Sequence, residues 1–201
     1  VEPYAFSIVD TYGLLHKNQL IHYFEMANDS LKQNISLGYH SHNNFQLGYA
    51  NCIELAEKKI ERNLLLDGSL YGMGKGAGNT PIELLAMYMR ENRGANYHIS
   101  QLLEAIDVTI QDCFRMTPWG YSLKFFIAAS NDCHPNYVAA LMEKKKLSVK
   151  SIFCLDPVQL FQHGVGQQPE EQEGGDGVHQ IHRHALKVIG DQQTPGGGGL
   201  V

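Results

Sequence analysis

The chain has 201 residues, 43% of them hydrophobic and 18% charged, which suits a globular protein with a sizeable core. Its net charge is -5 and its isoelectric point about 6.0, and it carries no basic stripe, so nucleic-acid binding is not expected. No apolar run is long enough for a membrane span and no secretory leader is visible, so the expectation is a cytoplasmic protein with no membrane partner.

The basic run at 144–146 sits in a helical stretch and reads as a solvated face. Cys52, Cys113, Cys133 and Cys154 are scattered without a CxxC pair and read as free, buried thiols. The chain starts Val1-Glu2-Pro3, without an initiator Met, and runs almost at once into a strand pattern, which suggests a longer parent protein.

Residues 4–9 read as a buried strand closed by the turn-like Asp10-Thr11-Tyr12-Gly13. Residues 18–31 have helical spacing in Leu20, Ile21, Phe24 and Leu31. A second strand is expected at 35–39, then a helix at 45–59 with Leu47, Ala50, Ile53, Leu55 and Ala56 on its apolar face. A third strand at 63–66 leads into a glycine-rich loop at 72–79, and Pro81 suits the first turn of a helix over 81–89. Alternating strands and helices predict right-handed crossovers and a parallel sheet. Three strands without visible partners make that sheet incomplete, so Phe6, Ile8, Leu37 and Leu65 are expected to lack packing partners.

From 99 to 152 the pattern is wholly helical. Ser100 can cap a helix carrying Leu102, Leu103, Ile106 and Ile110, and further helices are expected at 121–130, 137–143 and 148–152. Beyond 153 the composition turns to Gln, Glu and Gly, with a glycine run at 196–199, and reads as mostly disordered. Only 178–189 retains any periodicity. The expected domains are therefore 1–95, 96–152 and a tail at 153–201.

Three features could carry chemistry. In His40-Ser41-His42 the two imidazoles stand at i and i+2, on the same side of a strand, where they can share one cation. Alone an HxH is weak, but Asn43 and Asn44 follow directly, and polar crowding at a strand end fits a site better than a core. The loop at 72–79 allows close backbone approach through its glycines, Gly74 and Gly76 among them, and its N–H groups at a helix start suit an anion. It meets a relaxed dinucleotide fingerprint, yet helices follow where that unit needs another strand, and GxxxxGK[ST] is absent. Asp10 and Asp67 each end a strand, where a carboxylate can bind metal, orient a ligand or cap a loop.

Taken together, Val9-Asp10-Thr11-Tyr12-Gly13, Gly38-Tyr39-His40-Ser41-His42-Asn43-Asn44 and Asp67-Gly68-Ser69-Leu70-Tyr71-Gly72-Met73-Gly74-Lys75-Gly76-Ala77-Gly78-Asn79 with Glu83 resemble the pyruvate carboxyltransferase-domain family, the HMG-CoA lyase-like metallolyases. The resemblance covers about residues 4–152 and is strongest to the 4-hydroxy-2-oxovalerate aldolase branch. It implies the last three strand–helix units of a TIM (β/α)8 barrel, followed by an α-helical region.

The resemblance also implies one divalent cation, Mn2+ or Mg2+, held by residues matching His40 and His42, with Asn79 close by. A further aspartate ligand, an enolate-stabilising arginine and a base are expected in segments before Val1. Tyr121, after Gly120, is the loose match for a tyrosine that assists the base. Asp10, Asn44, Asp67, Gly74 and Gly76 fall to substrate or outer-sphere positions.

The implied activity is cleavage of a 4-hydroxy-2-oxo acid to pyruvate and an aldehyde, with this piece inactive alone. The implied partners are the 2-oxo acid substrate and, for the whole protein, a second copy or an aldehyde dehydrogenase. The glycine loop has no Cys, which argues against an HMG-CoA lyase. The alternatives are an acetyl-CoA-dependent condensing enzyme of the same family and a non-catalytic binding protein on the same scaffold.

Overall fold

The computed structural model of the chain describes residues 3–164. Strands β1 (Ala5–Asp10), β2 (Ser36–Ser41) and β3 (Leu64–Leu66) form a parallel sheet in the order β1-β2-β3. Helices α1 (Lys17–Ser30) and α2 (Gly48–Ala56) make the crossovers, and α3 (Ile82–Arg93) follows the glycine loop. The register pairs Ile8 with Tyr39 and Tyr39 with Leu66.

Period-two alternation decides what each strand buries. Leu37 and Tyr39 are fully buried with Leu20 and Phe24 of α1, Cys52 and Leu55 of α2 and Leu85 of α3. Each such side chain stabilises the fold by roughly 1.5–3 kcal/mol. The expectation that Leu37 lacks packing is thus corrected: it faces the helices. Ile8 also packs against this core, and Leu65 is half-buried. Phe6 is 45% exposed, because β1 is an edge strand among the described residues. Ser36, Gly38 and His40 alternate with Leu37 and Tyr39, so the histidines leave the strand on the side away from this core.

The last turn of α1 contains no basic residue, and the cation its carbonyls attract comes from another segment. Arg62, only 7% exposed, spends all five N–H donors there. Its Nε donates to Asn28 Oδ1 at 2.8 Å, Nη1 to the carbonyls of Lys32 and Ile35, and Nη2 to those of Asn28 and Leu31.

The helical region is longer than its periodicity suggested. Helix α4 (Ile99–Ala105) runs through a π turn at Ile106–Ile110 into α5 (Gln111–Met116), and α6 (Leu123–Ser130), α7 (Pro135–Glu143) and α8 (Val149–Phe153) follow. Helix α9 (Pro157–Gly164) lies where a disordered tail was expected from 153. It forms because Leu160, fully buried, joins Ile127, Val138, Leu141 and Ile152 in a second core, a tertiary gain that local composition does not reveal. The glutamine- and glycine-rich stretches expected to be disordered lie outside the described residues. Among the described residues, no helix is long and apolar enough to cross a membrane.

The four cysteines are free, but only Cys52 and Cys133 are buried; Cys113 is half-buried and Cys154 exposed. Burial pushes the Cys52 and Cys133 thiols up to about 11, which suppresses the reactive thiolate. Iodoacetamide at pH 8, read by mass spectrometry, should label Cys154 and Cys113 first and reach Cys52 and Cys133 only on unfolding. Rapid labelling of Cys52 in the native protein would contradict this packing.

Candidate metal centre

Three loops converge beyond the C-terminal ends of the strands. Asp10 ends β1, and both its oxygens are engaged by its own loop, accepting from Leu14 N at 2.8 Å and Leu15 N at 3.0 Å. The carboxylate therefore acts first as a loop cap. Gly13, in the left-handed region at φ 62°, presses that loop onto the next one. A Cβ at Gly13 would lie 2.4 Å from the His42 carbonyl oxygen and 2.7 Å from Asn44 N, so no other residue fits without moving the histidine backbone.

His40 and His42 leave β2 with ring centroids 5.4 Å apart. His40 Nδ1 lies 3.4 Å from Asp67 Oδ2, and Asp67 N donates to the Tyr39 carbonyl, which fixes the carboxylate beside the ring. His42 is half-buried, and its pKa is lowered from the ordinary 6.5, mainly by burial and then by His40. Hydrogen bonding to the backbone carbonyls of Lys75 and Gly78 opposes that shift.

The glycine loop meets this strand end through a bridge between His42 and Asn79. Opposed residues of a bridge place their side chains on the same face. Asn79 Nδ2 donates to the Met73 carbonyl at 3.2 Å, while its Oδ1 is buried and has no hydrogen-bond partner among the described residues. An orphaned buried acceptor costs about 1–3 kcal/mol, so a ligand is the natural reason to keep one. Gly74 leaves room for this amide, since a Cβ there would lie 2.7 Å from Asn79 Oδ1.

Asn43 ties the pieces together. Its Nδ2 donates to the Asn79 carbonyl at 3.2 Å and its Oδ1 accepts from Gly48 N at 3.0 Å, starting α2. That is why α2 begins at Gly48 rather than at 45. Ser41 and Thr80, both fully buried, share a hydrogen bond of 2.9 Å beneath the site.

A cavity of about 250 Å³ opens at this rim, with His42, Asn44 and Gly76 in its wall. Tyr12 lines it as well, its phenol pKa raised by burial and then by Asp132. Tyr121 is 57% exposed and is not among the residues lining this cavity, so Tyr12 is the tyrosine beside His42. The sequence marked Tyr12 as part of a turn and of the Val9–Gly13 motif but gave it no role of its own; its position two residues after a strand-ending aspartate was the available signal.

The donor set fits a divalent cation as a partial shell. It has a neutral imidazole in His42, the His40 ring beside it and an amide oxygen on Asn79 without a hydrogen-bond partner among the described residues. Among the described residues, no group of three or more His, Cys, Asp and Glu side chains is gathered to complete such a shell.

Residues 1–109 match the HMGL-like family, over half of the chain. The chain belongs to the HMGL-like family. Similar curated proteins include the 4-hydroxy-2-oxovalerate aldolase of Shewanella woodyi, 32% identical over 99 residues, which are 49% of this chain and 28% of that one. The enzyme of the same name from a Marinomonas species is 33% identical over 107 residues, 51% of this chain and 31% of that one. An oxaloacetate decarboxylase of Mycobacterium tuberculosis is 29% identical over 123 residues, 59% and 35% of the two chains. This HMGL-like chain thus spans about a third of the length of these relatives. Its fold is similar to the N-terminal domain of a Bacteroides vulgatus protein described as an aldolase, with a TM-score of 0.62 and 26% identity, covering 74% of this chain and 47% of that one. An α/β fold with a parallel sheet is common to both, and the described strands do not close a barrel.

Proposed function

We propose that this HMGL-like chain carries part of the active site of a divalent-metal-dependent aldolase that cleaves a 4-hydroxy-2-oxo acid to pyruvate and an aldehyde. The observation that carries the reading is the orphaned Asn79 Oδ1 opposite His42, with His40 beside it. The names of the aldolase relatives support the reaction class.

His40 and His42 hold the cation, Mn2+ or Mg2+, with Asn79 as the oxygen donor. Asp67 orients the His40 ring through its 3.4 Å contact, and Asn44 and Tyr12 face the substrate from the cavity wall. A cation held there supplies Lewis-acid polarisation of the 2-oxo group and compensates the enolate charge. In the reaction the 4-hydroxyl loses its proton, the C3–C4 bond breaks, and the electron pair passes into the pyruvate enolate, which is then protonated at C3. Gly74 and Gly76 serve by leaving space, the first for the Asn79 amide and the second for Phe125 of α6. The barrel portion is assigned to 1–95, and the helical region is assigned from 96 to the end of α9.

The test is release of pyruvate by the full-length protein from a 4-hydroxy-2-oxo acid, followed by coupled lactate dehydrogenase. Activity should vanish on exhaustive chelation and return with Mn2+ or Mg2+. Cleavage that survives chelation, or a protein that binds neither ion, overturns the reading.

A further inference from the structure

The His134 ring lines the cavity beside His42, and the local fold decides which of its nitrogens can donate. Pro135 opens α7 and has no N–H, so the first donor at that helix end is Asn136 N. It donates to His134 Nδ1 at 3.2 Å, and the imidazole thereby caps α7. A ring nitrogen that accepts a hydrogen bond carries no proton, so the N–H of His134 is on Nε2. A second proton would break the cap and set a positive charge against the positive end of the helix. His134 is thus held neutral, with Nε2 as its donor.

The ring is half-buried and edge-on to two tyrosines, Tyr12 at 6.2 Å and Tyr137 at 6.1 Å between centroids. Tyr12 belongs to the loop after β1 and Tyr137 to α7, so the ring bridges the strand end and the helical region. Two further contacts dock that region on the glycine loop. Gly120 N donates to the Gly76 carbonyl at 3.2 Å, and the Phe125 ring of α6 packs on Gly76. Ile127 of α6 and Val138 of α7 share the second core, which ties the two helices together. Asp132, in the turn before His134, adds to burial in raising the Tyr12 phenol pKa, so the hydroxyl keeps its proton. His134 and Tyr12 therefore bring two neutral donors to a cavity whose wall also includes His42.

We propose that His134 is a further catalytic residue, whose Nε2–H donates to the 2-oxo oxygen of the substrate as that oxygen becomes the enolate oxygen. The inference rests on the function proposed above. The cavity holds about 250 Å³, so a small 2-oxo acid with its head at His42 also reaches His134. A neutral imidazole at a helix start can polarise an oxygen without giving up its proton. Nε2 keeps its hydrogen throughout, and the proton and electron balance of the cleavage is unchanged. The hydrogen bond strengthens as charge builds on the oxygen, so it lowers the barrier and changes substrate affinity little.

The experiment uses the full-length protein and two variants, His134→Asn and His134→Gln. Asn still caps α7 through its amide oxygen but extends no further than Nδ1, whereas Gln carries an N–H towards the place of Nε2 and caps poorly. Mn2+ is titrated first by calorimetry. The loaded proteins are then titrated with pyruvate and with oxalate, whose planar dianion copies the charge of the enolate. In His134→Asn the oxalate affinity should fall at least about tenfold while pyruvate affinity stays within about threefold. Its kcat for pyruvate release should fall about a hundredfold with KM nearly unchanged. Its melting temperature should hold. His134→Gln should melt a few degrees lower yet keep kcat within about tenfold of the native value. A purely structural role predicts the reverse order, with Gln the more impaired. Unchanged oxalate affinity in His134→Asn, or activity that follows melting temperature across the two variants, overturns the inference and leaves the metal reading standing. Failure of the native protein to bind Mn2+ overturns both.

Discussion

Replacing His42 with Ala should lower Mn2+ affinity at least about a hundredfold, since outer-sphere partners of metal-bound histidines alone are worth about 10–100-fold. His42 is half-buried at a rim and takes no part in the apolar core, so the melting temperature should move little. Electron paramagnetic resonance of free against bound Mn2+ reads the affinity directly, with no need for substrate. Asp67→Asn should cost less, about tenfold, because it touches the site only through His40.

The pH dependence has a defined sign. The His42 pKa in the folded chain lies below the ordinary 6.5, so near neutrality the ring is neutral and able to ligate. As pH falls through 6.5 the unfolded chain takes up its proton first, and stability declines until the lowered folded pKa is passed. Unchanged Mn2+ affinity in His42→Ala would remove the residue from the metal centre.

Arg62→Ala should destabilise the protein by about 2–4 kcal/mol, as buried polar groups left unpaired cost about 1–3 kcal/mol each and water recovers part of the loss. Four carbonyls at the end of α1 and the Asn28 side chain lose their donor at once. Against a total of about 5–15 kcal/mol this is a large fraction. Arg62→Lys should recover only part of it, because an ammonium has three donors and no planar fork. Urea midpoints with an unchanged slope measure both variants. A loss below about 0.5 kcal/mol, the range of ordinary surface changes, would show that these hydrogen bonds carry no net stability.

Arg62 also marks the limit of what one sequence discloses. Its partners lie about 30 residues upstream, and nothing in Ile60-Glu61-Arg62-Asn63 announces a helix C-terminus elsewhere. The strand and helix order was legible because apolar spacing is a local signal, and all three strands fall within two residues of their expected positions. His40 and His42 were legible for the same reason, since the i, i+2 rule needs no tertiary knowledge.

Other features had to come from the fold. The direction of Leu37 depends on which sheet face the helices cover. The capping role of Asn43 depends on a loop fold that places Gly48 N against it. Helix α9 depends on a groove that accepts Leu160. The orphaned oxygen of Asn79 depends on how a loop rich in glycine closes, which residue identities alone leave open.

The contact of Gly13 with the backbone of His42 and Asn44 makes two sequence-distant loops inseparable in any grafting or recombination experiment. A crossover point between β1 and β2 that imports a different turn after Asp10 changes the seat of His42 even when every residue of the His40–Asn44 motif is retained. Chimaeras in this family should therefore exchange residues 10–15 and 40–48 as one block. A library that randomises position 13 should return almost only glycine among variants that still bind Mn2+.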